Sequence, residues 1–232
     1  MLSRFPFVHE YGARKPFLMY AVVLFFISLA DAIMAYTAPV LIQRTVGNAT
    51  TMGVVFATSS FAGMIMDFSF ARLFGDKRSG FFLKILCSLV LLFPLSILAF
   101  TVVPSFIFAM VVWGVYFEAM VFANFHSIHE HLSVSDHAWG WGILAVFRNL
   151  ALVVGPFIAS SLFEVSSIYP VITSIVFYVL GIILFLISGL LKTKAHHHAQ
   201  EQEMRKHTTS QEFHLWGVFE HRLWPLVTLL VL

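Results

Sequence analysis

The sequence predicts an all-α membrane protein: a bundle of six transmembrane helices followed by the start of a seventh. Three observations carry this. Of 232 residues, 59% are hydrophobic and 11% charged, whereas soluble domains hold about 45–50% apolar and about 25% charged residues. Six apolar runs each reach the roughly 20 residues that a helix needs to cross a bilayer. Short polar connections separate them, as in antiparallel hairpins. No water-facing sphere of this size could bury so much apolar surface, but hydrocarbon requires no charged coat.

The runs lie at 17–42, 51–74, 81–103, 105–125, 138–163 and 168–191. The first is about 26 residues long and interrupted by Asp31, whereas the apolar core of a signal peptide runs about 7–15. Four connections follow at 44–50, 75–80, 103–104 and 126–137, and a fifth at 164–167. The 26 phenylalanines suit a surface that meets acyl chains. Cys87 is the one cysteine, inside an apolar run; it reads as a small buried hydrophobe and excludes an internal disulfide.

Lysine and arginine bias sets orientation. Arg4, Arg14 and Lys15 precede the first span, Arg72, Lys77, Arg78 and Lys84 surround the second connection, and Lys192, Lys194, Arg205, Lys206 and Arg222 follow the sixth. The opposite side carries only Arg44. The N-terminus is therefore expected in the cytoplasm, with the protein multi-pass in the cell (inner or plasma) membrane. Residues 1–191 form the six-helix domain, 192–222 a polar cytoplasmic loop, and 223–232 the beginning of a seventh helix cut short. Within the loop, Thr209 and Glu212 fit a helix-capping box.

Ionisable residues inside spans are the informative ones, since each costs at least a few kcal/mol at helix centre. Asp31 lies in the middle of span one, Asp67 toward the end of span two, Glu118 in the middle of span four and Arg148 in span five. The similar depths of Asp31 and Glu118 are what two three-helix repeats of opposite topology would give. Glu118 and Arg148 stand at comparable depths on neighbouring spans and are expected to pair. That pair reads either as a structural lock or as a proton carrier with Arg148 tuning its partner. No cation in span one is placed to pair with Asp31, which reads as a cavity-facing group. Asp67 reads as structural, beside Arg72.

Two segments carry a family resemblance. Arg72, Gly75, Asp76, Lys77, Arg78 and Gly80 form a connection that resembles the Gly-x-x-x-Asp-Arg-x-Gly-Arg-Arg loop of major facilitator superfamily transporters, with Arg72 in place of the leading glycine and Gly80 one place late. A second register puts Gly63 and Asp67 on the Gly-x-x-x-Asp pair, without the basic residues. In span five, Gly142, Ala151, Gly155, Pro156, Ala159 and Ser160 follow the spacing of the family's antiporter motif, with small residues where it has glycines. Close helix packing explains those small residues equally well. The resemblance implies an N-terminal six-helix half built of two inverted repeats, with a cavity lined by spans one, two, four and five. It further implies a gating loop at Asp76, Lys77 and Arg78, a hinge in span five, and substrate or proton coupling by Asp31, Glu118 and Arg148.

The expected function is secondary active transport of a small organic solute by alternating access, proton-coupled, with drug–proton antiport as one form. The expected partners are the lipid bilayer, the solute, the proton and a C-terminal six-helix half, without which these spans should not transport. No nucleic acid is expected, because the basic residues lie at segment ends rather than on a face. No enzyme activity, metal or cofactor is expected. No Gly-x-x-x-x-Gly-Lys phosphate loop is present. Trp113, Tyr116, Trp139, Trp141 and Tyr36 read either as a cavity lining for an apolar or cationic molecule or as interfacial anchors. Two other readings remain. His126, His129, His131 and His137 with Glu130 and Asp136, and His196 to His198 in the loop, raise a membrane metalloenzyme, although the adjacent-histidine boxes of membrane di-iron oxygenases are missing. A seven-helix receptor or scaffold would require the last run to complete a span.

Overall fold

A computed structural model of the chain describes residues 6–74, 79–99 and 102–188, all within the compact unit Met1–Thr193. The expected gating residues Asp76, Lys77 and Arg78 lie outside the described residues, as do the loop at 192–222 with its capping box and histidines, and the segment 223–232. The described chain is helical, with no strand. Six of its helical stretches are long and apolar enough to span a membrane, so it is a membrane protein by length and composition.

The helices are α1 (Pro6–Val46), α2 (Ala49–Phe74), α3 (Ser79–Leu89), α4 (Leu92–Ala99), α5 (Val103–His131), α6 (His137–Phe163) and α7 (Tyr169–Ile187). Gly47 ends α1 in the left-handed region at φ 65°, where the lack of a Cβ removes the usual penalty. Asn48 then caps α2, its side-chain oxygen accepting from the Thr50 N–H at 2.8 Å. The third span is a broken helix, α3 and α4. Pro94 has no N–H to give the Val90 carbonyl, and its ring crowds that turn. Hydrogen bonding resumes one residue on, from the Leu95 N–H to the Leu91 carbonyl at 3.2 Å.

The fourth connection is shorter than expected. Helix α5 continues to His131, and only Leu132, Ser133 and a single 3₁₀ turn, Val134–Asp136, precede α6. Of the histidines expected in a solvated loop, His126, His129 and His131 therefore stand on the last turns of α5, and His137 begins α6. His126 and His131 turn Nδ1 back to the carbonyls of Phe122 and Ser127, at 2.8 and 2.9 Å.

Helices α1 and α5 form the centre. Of the most apolar stretch of α1, 72% is buried within the bundle, against 17% for α2. Helix α1 packs chiefly against α6 and α7, and α5 chiefly against α2 and the broken pair α3–α4. The two central helices meet each other, and peripheral helices touch one another little. Without a hydrophobic force between rods in lipid, such packing requires close backbone approach through small residues.

Candidate functional site

The most deeply placed charge is Asp31. It is 6% exposed, halfway along α1. Burying an ionised carboxylate requires hydrogen bonds or an opposite charge. One partner is Trp113 of α5, whose Nε1–H donates to Asp31 Oδ1 at 2.8 Å. The indole is itself held in place, stacked on Phe93 of α4 with centroids 5.1 Å apart and planes within 2°. Phe117 closes a third side of that indole at 5.3 Å. Arg148 of α6 lies within electrostatic reach of Asp31, as do the buried phenols of Tyr116 and Tyr178 from α5 and α7.

Small residues of α6 bring it onto α1 beside that carboxylate. A Cβ added at Gly155 would stand 2.5 Å from the Ala32 Cβ and 3.0 Å from its carbonyl carbon. Ala151 and Ala159, one turn to either side, are buried on the same face. Pro156 lies inside an unbroken helix. Gly142 does not share this role, since nothing lies within 4 Å of an added Cβ there. Its neighbour Gly140 does the packing: Leu132 presses against it, and a Cβ added there would lie 3.4 Å from the Phe17 ring.

The expected ion pair between Glu118 and Arg148 does not form. The reason is topological: α5 and α6 are consecutive but pack against different partners, α2 and α1. Glu118 is half-buried and faces α2, where a Cβ on Gly63 would lie 3.2 Å from its Oε1. Its charged neighbour there is Asp67, an exposed carboxylate rather than a cation. Gly114, one turn before Glu118, sits directly on the Ser59 carbonyl of α2. Gly63 thus stands at a helix crossing. Asp31 and Trp113 come together with the exposed Arg148 in electrostatic reach, and Glu118 stands apart from them with Asp67 as its charged neighbour.

A polar cluster ties one end of the bundle together. Arg14 of α1 pairs with Asp136 at 3.0 Å and lies over the Trp139 ring at 5.0 Å. Glu130, near the end of α5, accepts from the Ser79 N–H at 3.1 Å and from its hydroxyl at 2.5 Å, capping α3. A carboxylate at a helix N-terminus meets free N–H groups and the positive end of the helix dipole. The His129 and His137 rings meet edge to face at 4.5 Å. Among the described residues, no three His, Cys, Asp or Glu side chains converge as metal ligands.

Of the aromatic residues, Trp113 and Tyr116 are interior groups, whereas Trp141 and Tyr36 are exposed. Sequence reasoning missed Trp113 as the partner of Asp31, because a donor 82 positions away leaves no local pattern. No family model, curated protein or solved structure matches this chain.

Proposed function

We propose that the chain is the six-helix half of a secondary transporter of the major facilitator kind, and that Asp31 carries its coupling proton. The observation that carries this reading is a carboxylate buried mid-span on a central helix, held by one indole N–H with an arginine in reach. Intramembrane ionisable groups are costly, and they are retained where ions or substrates pass. Pairing also supports the reading. Exchanging α1, α2 and α3–α4 with α5, α6 and α7 carries the α1–α6 seam onto α5–α2, and α1–α7 onto α5 with α3–α4. A three-span unit begins and ends on opposite sides of a membrane, so its second copy is inverted.

On this reading, Asp31 alternates between the charged form, held by Trp113 and Arg148, and the neutral form. Glu118 with Asp67 forms a second acidic site beside the pathway. The solute is a small organic molecule. The N-terminus, the second connection and the fourth connection face the cytoplasm of the cell membrane, supported by the basic residues of the first two and by the Arg14–Asp136 and Ser79–Glu130 contacts that tie each of them to the fourth. The partners are lipid, proton, solute and an opposing six-helix half.

The test is flux in vesicles bearing the whole protein under an imposed pH gradient. Asp31→Asn should abolish gradient-driven movement while leaving solute exchange without a gradient. Full gradient dependence in that variant would refute the proposal.

A further inference from the structure

Six polar or charged side chains are buried in the described bundle: Ser28, Asp31, Thr37, Ser79, Ser127 and Ser174. Five have partners. Thr37 and Ser174 donate to the carbonyls of Ile33 and Val171 at 2.6 and 2.7 Å. Ser79 meets Glu130, Ser127 meets His131, and Asp31 meets Trp113. The hydroxyl oxygen of Ser28 is buried and has none. A serine in an apolar helix ordinarily turns back to the carbonyl three or four residues before it, as Ser69, Ser88, Ser96 and Ser161 do here. A buried hydroxyl left unpaired is costly and calls for a cause.

Ser28 precedes Asp31 by three residues on α1, and helix residues at that spacing share a face, with Cβ atoms about 5–6 Å apart. We propose that Ser28 and Asp31 form one proton site, in which protonated Asp31 donates its O–H to the Ser28 hydroxyl oxygen. On release the proton passes to water in the pathway, and the carboxylate keeps the Trp113 N–H while Ser28 loses its donor. The charged form already has its support, from Trp113 of α5 and Arg148 of α6. Tyr116 of α5 and Tyr178 of α7 also lie within electrostatic reach of Asp31. What the neutral form lacks is an acceptor, and the unpaired oxygen one turn away supplies it. A bond made only by the neutral acid raises proton affinity. Ser28 is thus a positioning residue for the proton.

This rests on Asp31 being the proton carrier, and the experiment separates the two claims. Hydrophobic carbodiimides modify protonated carboxyls buried in membranes. Labelling of Asp31 by dicyclohexylcarbodiimide would be followed by peptide mass spectrometry across pH, in the full chain in detergent, with Asp31→Asn as blank. Ser28→Ala should move the labelling midpoint toward acid by about one pH unit, the size of one modest hydrogen bond. Ser28→Thr, which keeps the hydroxyl, should stay within a few tenths of the parent. Ser28→Cys, close in volume but a poorer acceptor, should follow alanine and serves if alanine does not fold. An unmoved midpoint in the alanine or cysteine variant would overturn the Ser28 assignment alone. A midpoint displaced toward alkali would overturn it too, showing that the hydroxyl supports the carboxylate. Absence of labelling at every pH in the parent would remove the proton-carrier reading and this inference together.

Discussion

At the α1–α6 seam, Gly155 lies against Ala32 and the adjacent Asp31 is buried under an indole N–H. At the α2–α5 seam, Gly114 lies against Ser59, yet Glu118 one turn on is half-buried and faces a second carboxylate, Asp67. Both seams use a glycine to bring two backbones together, and both set an acid beside the crossing. They differ in what meets the acid: a fixed donor with a cation in reach, or a like charge. Depth in the sequence therefore does not decide a carboxylate's role. The partner helix does.

Bulk at either crossing should have the largest effect. Gly155→Leu and Gly114→Leu each force side-chain atoms into a neighbouring backbone and should cost about 3 kcal/mol or more, seen as lost monodisperse yield and a lower melting temperature in detergent. Gly142→Leu, with open space around it, should stay within about 0.5 kcal/mol. Equal damage at Gly142 would mean that the small-residue face of α6 is misassigned.

The acids themselves come next. Asn at position 31 keeps an oxygen for the Trp113 N–H, so Asp31→Asn should fold and lose gradient coupling. Glu118→Gln relieves a like-charge contact; it should keep coupling, slow transport by less than about tenfold, and melt no lower than the parent. Reversed outcomes would exchange the roles of the two seams. Trp113→Phe retains the stack on Phe93 but removes the donor, and should destabilise by about 2 kcal/mol, the worth of a hydrogen bond to a charged group. Smallest is Arg14→Gln at the end of the bundle. Its pair with Asp136 is partly exposed, and the melting curve should report about 0.5–1 kcal/mol including the contact with Trp139.

Much of the architecture is legible in the sequence because lipid imposes a length rule that hydropathy reports directly. Each expected span is helical over most of its range, and Asp31 stands out as a charge inside one. Sequence reasoning fails where three-dimensional neighbours are not sequence neighbours. Glu118 and Arg148 match in depth on consecutive spans, but those two helices, α5 and α6, pack little against each other. Trp113 looks like any other interior or interfacial aromatic until α5 crosses α1. Polar composition at 126–131 resembles a loop, although histidine, serine and glutamate sit well on a last helical turn whose side chains bond back to it. In α6, spacing alone cannot separate the open Gly142 from the packed Gly140.

The central claim is that Asp31 takes up and gives up a proton within the bundle. Infrared difference spectroscopy of the protein in lipid, stepped across pH, measures this directly. The account predicts that one component of the carboxylic acid C=O band that grows on acidification in the parent is missing from Asp31→Asn, while those of the other acids remain. An acid-band difference spectrum identical in parent and Asp31→Asn would contradict it.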